Sequence, residues 1–83
     1  THNIAAFVAL YHLLSAADTR GLRGIHVAGD NELILRVLKT RAPPKARRLQ
    51  MWFLKCRRTA DRVRVASWTL LSKSGNAAAR TLA

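Results

Sequence analysis

Few side chains in this sequence are able to do chemistry, and their spacing narrows what that chemistry is. Aspartate and glutamate together number 4 in 83 residues. The histidines are His2, His12 and His26, and none stands at metal-ligand spacing from a cysteine or a second histidine. His12 in an apolar helix and His26 in a strand are expected in packed or surface roles. The single cysteine, Cys56, has no histidine close in sequence to activate it. It lies among apolar neighbours at helical spacing, which points to a buried structural thiol rather than a nucleophile. A lone cysteine also excludes an internal disulfide and favours a reducing, intracellular compartment, which is otherwise left open. Trp52 and Trp68 have faces suited to stacking on bases, but their helix and strand positions point to core roles.

Cationic side chains dominate instead. There are 15 Lys and Arg, for a formal net charge of +11. Eleven of the 15 fall in one segment: Arg36, Lys39, Arg41, Lys45, Arg47, Arg48, Lys55, Arg57, Arg58, Arg62 and Arg64. Such an excess favours a polyanionic partner, because neutralising phosphates releases condensed counterions. Nucleic acid is the first such partner to consider, an anionic membrane surface the second, and a merely solvated basic face the third.

The elements that must position these residues follow from periodicity. Asn3 is expected to cap a helix running to about Asp18. Ile4, Val8 and Tyr11 with Phe7 and Leu14 form its face, and Leu10 and Leu13 widen the apolar arc. An arc this wide needs cover on more than one side. Gly24 to Ala28 reads as a short strand with Ile25 and Val27 on one face. Asp30 or Asn31 caps a second helix, Glu32 to Lys39, with Leu33, Ile34, Val37 and Leu38 as core. Ala42-Pro43-Pro44 breaks the chain. Lys45 to Asp61 predicts a third helix with a Leu49, Phe53, Cys56, Ala60 stripe and Arg47, Arg48, Lys55 and Arg58 on the opposite side. Val63 to Trp68 reads as a second strand and Ala77 to Ala83 as a last helix capped by Asn76. The order helix-strand-helix-helix-strand-helix implies an α/β domain over residues 1–83 with a small parallel strand pair. No apolar stretch reaches the ~20 residues of a membrane span: the longest, Ile4 toward Ala17, is interrupted by His12 and Ser15. A chain that starts at Thr1 reads as a piece of a longer one.

Three motifs fall in sequence order: Thr1-His2-Asn3-Ile4-Ala5-Ala6-Phe7; Gly29-Asp30-Asn31 followed by Leu33, Ile34 and Val37; and Leu70, Asn76, Arg80 and Leu82-Ala83. In order and spacing they resemble the C-terminal portion of a ribonuclease H type 1 domain, in the form carried by retrotransposon polyproteins. There the motifs read Thr-Asn-Asn-x-Ala-Glu-Tyr, then Gly-Asp-Ser after a strand, then a His followed by Asn-x-x-x-Asp and Leu-Ala. The resemblance implies a truncated ribonuclease H-like fold lacking its N-terminal strands. It also implies a family chemistry in which two Mg²⁺ ions, held by carboxylates, cleave the RNA of an RNA–DNA hybrid.

Residue by residue, that chemistry is depleted here. The helix glutamate position is Ala6, the last aspartate position is Arg80 and the assisting histidine position is Leu70; only Asp30 survives. One carboxylate cannot hold two divalent ions against a nearby Arg80, so no cofactor is expected for this chain. Asp30 is either a relic of the metal site or a helix cap. Basic side chains near the family's middle helices grip the duplex backbone, which nominates Arg36, Lys39, Arg41, Lys45, Arg47, Arg48, Lys55 and Arg58. Asn3 matches a residue that touches the RNA strand, and His2 stands where the family has its first Asn. The expected function is nucleic-acid binding to hybrid or duplex without cleavage. The alternatives are hybrid cleavage in a longer parent chain, and an interaction module or transposon relic. Self-association through the apolar first helix, or pairing with upstream strands, is a further expected partnership.

Overall fold

A computed structural model describes residues 2–71 as three helices and two parallel strands. The elements are α1 (His2–Thr19), β1 (His26–Gly29), α2 (Glu32–Thr40), α3 (Arg47–Val63) and β2 (Ser67–Leu70), in that order. The chain is thus an α/β domain with the expected strand pair; the expected last helix and its Asn76 cap lie outside the described residues.

α1 and α3 pack against each other more extensively than any other pair of elements. Phe7, Leu14 and Ala17 from α1 and Leu49, Phe53, Cys56, Ala60 and Val63 from α3 are all buried in one cluster. The α3 stripe therefore falls where its 3.6-residue period placed it. α1 behaves differently, because its apolar residues run around most of its circumference. Ile4, Leu10 and Tyr11 are only partly buried, and Leu13 remains 58% exposed. The second cover that its arc calls for is not supplied by the described residues.

α2 starts at Asn31, whose Oδ1 accepts a hydrogen bond from the Ile34 N–H at 3.1 Å. Its buried side is Ile34, Leu35, Val37 and Leu38. Leu33, expected in the core, is only half-buried, and Leu35 takes its place. α2 packs on β2 as well as on α3, so its buried arc rotates by one position toward the sheet. The loop through Pro43-Pro44 is pinned by the Gln50 amide donating to the Pro44 carbonyl at 3.2 Å.

The second strand begins later than its sequence suggested. Val63 is the last residue of α3 and fully buried, and Arg64 turns the chain in the left-handed region at φ 52°. The Arg64 and Val65 N–H groups donate back to the carbonyls of Asp61 and Ala60 at 3.4 and 3.2 Å, closing the helix. β2 then pairs with β1 in parallel, with His26 opposite Ser67, Val27 opposite Trp68, Ala28 opposite Thr69 and Gly29 opposite Leu70. β1 itself is shifted from the expected 24–28 by the turn at Gly24, whose N–H donates to the Val63 carbonyl at 2.9 Å. α1 ends on Gly21, which takes φ 72° as glycine does freely. α2 and α3 end instead on Arg41 (φ 62°) and Arg64 (φ 52°). In that backbone region a side chain costs roughly 1–2 kcal/mol.

Cys56 lies at the centre of this packing, with no exposed surface and its Sγ 3.5 Å from the Phe7 carbonyl, to which it donates. Burial pushes its thiol from an ordinary value of 9.0 up to about 12. The unfolded chain therefore ionises this group first, and the stability it contributes is complete below pH 9.0 and is lost as the pH rises toward 12. Denaturant melts of the wild type and Cys56→Ala are expected to show the stability difference between them shrinking by about 2 kcal/mol between pH 8 and 10.5. A difference that does not move with pH would contradict the buried thiol.

Candidate nucleic-acid interface

Parallel strands deliver their C-terminal ends to one side, and here Gly29 and Leu70 end level with each other. Asp30 follows directly, exposed in a bend. It does not cap α2; Asn31 does, one residue on. The cap is favoured at Asn31 because its backbone is extended (φ −90°, ψ 101°), and that geometry aims its amide at the first turn of the helix. Its Nδ2 in turn donates to Asn3 Oδ1 at 3.1 Å. Asn3 therefore lies within α1 rather than capping it, and its carbonyl oxygen is engaged in tying the start of α1 to the start of α2. His2, Asn3, Asp30, Asn31, Glu32 and Leu33 together line a shallow cleft of about 450 Å³.

The residues here do not fit a pair of Mg²⁺ ions. Ala6 reaches the neighbouring apolar groove beside Gly29 and Val27, and brings a methyl group where the resembled family brings a carboxylate. Leu70 is 48% exposed and offers no ring nitrogen. Among the described residues no three metal-capable side chains converge, whereas Mg²⁺ requires near-octahedral oxygen coordination. The Arg80 position lies outside the described residues.

The basic residues divide into committed and uncommitted groups. Among the described residues the ion pairs are Arg23–Asp18, Arg62–Asp18 and Arg41–Asp61. Arg41 is thus not a free phosphate ligand: its Nη1 and Nη2 donate to the two Asp61 oxygens at 3.0 and 3.1 Å. Those bonds hold the Asp61 carboxyl below the usual carboxylate range, against partial loss of hydration, with the charges of Arg41 and Arg57 adding to the lowering. They raise the Arg41 guanidinium correspondingly. Both side chains are 52% exposed, so the pair fixes geometry more than it adds stability.

Arg36, Lys39, Lys45, Arg47, Arg48 and Arg58 are exposed and belong to none of these pairs. Arg36 and Lys45 border one cleft across the Pro43-Pro44 loop, while Arg47, Arg48 and Arg58 stand on α3 away from its buried stripe. Lys55 is held differently. Its Nζ lies 5.0 Å from the centre of the Trp52 ring and 5.8 Å from that of Tyr11, and the two rings meet edge to face at 6.0 Å. Sequence reasoning missed this cluster. The Trp52–Lys55 half was legible from three-residue helical spacing, but the Tyr11 half depends on how α1 lies across α3. Trp52 and Trp68 are half-buried against the core, a partial version of the role expected for them. His12 is exposed beside Tyr11, and His26 Nδ1 lies 2.7 Å from Ser67 Oγ across the strand pair.

The chain belongs to the reverse transcriptase-like family, whose model matches residues 1–83, and with it to the ribonuclease H-like superfamily. No curated protein matches the sequence closely enough to count as a relative. Among the described residues no helix is long and apolar enough to cross a membrane.

Asn31→Ala removes both the cap and the partner of Asn3, so it is expected to destabilise the domain by about 1–2 kcal/mol. Asp30→Ala, which removes neither, is expected to stay within about 0.5 kcal/mol of wild type. Equal losses in thermal melts would place the cap at the wrong residue.

Proposed function

We propose that this chain is a ribonuclease H type 1-like domain of retrotransposon origin that holds RNA–DNA hybrid or duplex nucleic acid by its backbone and does not cut it. The observation that carries the proposal is the outer face of α3. Arg47, Arg48 and Arg58 stand there exposed and outside every ion pair among the described residues, with Lys55 alongside on its aromatic platform. Arg36, Lys39 and Lys45 extend the positive surface toward α2. Side chains of this kind contact phosphates and carry little base selectivity. Ala6 in place of the family's helix carboxylate and Leu70 in place of its assisting histidine support binding without catalysis, and binding then needs no cofactor. The edge of β1 that faces away from β2 has no ladder partner among the described residues, which suits pairing with further strands of such a domain.

Removing one phosphate-binding side chain should reduce the steepness of log affinity against log salt by about one unit. Arg47→Gln/Arg48→Gln is therefore expected to weaken binding to all sequences alike and to flatten the salt dependence by about two units. The measurement is a side-by-side titration of hybrid, double-stranded DNA and anionic vesicles at several salt concentrations. Unchanged nucleic-acid affinity in the double variant, or tighter binding to vesicles than to any nucleic acid, would overturn the proposal.

No cleavage of an RNA–DNA hybrid is expected with Mg²⁺ or Mn²⁺. Metal-dependent cleavage that vanishes in Asp30→Asn would show a working site instead.

A further inference from the structure

A second cationic site lies on another flank of the molecule, where the ends of α2 and α3 meet β2. Arg41, Arg57 and Arg64 converge on a cleft of about 270 Å³ that also touches Asp61, Leu38 and Trp68. None of Arg47, Arg48, Lys55 or Arg58 borders it.

Two independent features set this cleft apart. The first is backbone conformation. Arg41 and Arg64 are the two residues other than glycine at positive φ among those described, at 62° and 52°, and both border this one cleft. Helix ends of this kind are normally left to glycine, so each arginine occupies a strained position on the border of the same cleft. The second is charge. Asp61 already sits in the cleft as an anion, gripped through both oxygens by Arg41 at 3.0 and 3.1 Å. That two-pronged grip is the one a guanidinium makes on a phosphate. Arg57 and Arg64 remain outside any ion pair among the described residues. Three arginines and one aspartate border the cleft, which leaves it short of about two negative charges; a phosphate monoester carries about that charge at neutral pH and a backbone diester does not.

We propose that this cleft is a phosphomonoester site that holds the terminal phosphate of a nucleic-acid strand, with Arg57 and Arg64 as its ligands, Arg41 held ready by Asp61, and Trp68 as the wall beside the adjoining nucleoside. The volume suits a phosphate and part of one nucleoside and is small for a larger ligand. This goes beyond backbone binding by the outer face of α3 and uses none of Arg47, Arg48, Lys55 or Arg58, so each can fail alone.

The test uses the full chain and short single-stranded oligonucleotides of one sequence carrying either a 5′-phosphate or a 5′-hydroxyl, with inorganic phosphate and a 5′-mononucleotide as separate arms. The phosphorylated strand is expected to bind on the order of tenfold more tightly than the hydroxyl strand. Arg57→Gln/Arg64→Gln should abolish that preference and leave the hydroxyl strand's affinity unchanged. Arg64→Gly should reduce the preference too, in a backbone that glycine suits, so a folding defect cannot imitate the result. Arg47→Gln/Arg48→Gln should weaken both strands while keeping the preference. Asp61→Asn should tighten inorganic phosphate, because the resident carboxylate no longer competes for Arg41. Equal affinity for the two strands, or a preference that survives replacement of Arg57 and Arg64, would overturn the proposal. So would inorganic phosphate or the mononucleotide binding as tightly as the phosphorylated strand, since the ligand would then not be a strand end.

Discussion

Phe7 and Leu14 of α1 and Phe53 and Cys56 of α3 lie in one cluster with at most 1% of their surfaces exposed. The placement of nearly every charged group follows from that seam. An α-helix turns 100° per residue, so burying Leu49, Phe53, Cys56, Ala60 and Val63 fixes the rotation of α3. Arg47 and Arg58 are then forced outward, Trp52 and Lys55 to the α1 side, and Arg57, Asp61 and Arg64 to the α2 side. Two separate cationic surfaces thus arise from one helix, because one apolar stripe sets the azimuth of both. The fully buried Thr59 does not disturb the seam, since its hydroxyl donates to the Lys55 carbonyl at 2.9 Å.

The order of the five described elements, the α3 stripe and the parallel strand pair were legible in the sequence because each is written in local periodicity or chain connectivity. Where structure and expectation part, the cause is contact between distant residues. Val63 to Trp68 has the apolar run of a strand, yet Val63 is captured by the helix core and Arg64 makes the turn, so pairing starts only at Ser67. Leu33 and Leu35 compete for the core, and the decision rests with β2, which local spacing does not show. Asp30 and Asn31 are equally good caps on chemical grounds. Asn31 is favoured because its amide can satisfy the Ile34 N–H and Asn3 in one geometry. For the basic segment, sequence supplied the charges but not their pairing: Arg41 and Arg62 were indistinguishable from Arg36 until the fold brought Asp61 and Asp18 beside them.

The same separation between local and distant information divides the two ends of the molecule. At the strand end, metal chemistry of the kind the resemblance implies would require several oxygens within a few ångströms, and Ala6 offers none where that family has a carboxylate. A phosphate-holding face has no such fragility, since exposed cations act nearly additively and tolerate displacement. On the proposed reading, losing the first while retaining the second needs few changes, and neither Ala6 nor Leu70 is among the buried residues of the α1–α3 seam.

α3 itself is built against its own electrostatics. Its first turn holds Arg47 and Arg48 with no acidic residue, and Ala46 provides no side-chain cap, although that end of a helix dipole is positive. Further along, Lys55 with Arg58 and Arg58 with Arg62 set like charges three and four residues apart, where they repel. The helix forms because the buried stripe outweighs these terms, each of which is a few tenths of a kcal/mol to about 1 kcal/mol. A polyanion lying along the face would offset these terms, by supplying negative charge at the first turn and weakening the repulsion further along. On the proposed reading, binding a polyanion is linked to the stability of α3, and through the seam to that of the domain. An uncapped, self-repelling helix is a poor choice for stability alone, and the deficit would shrink if the proposed polyanion occupied the face.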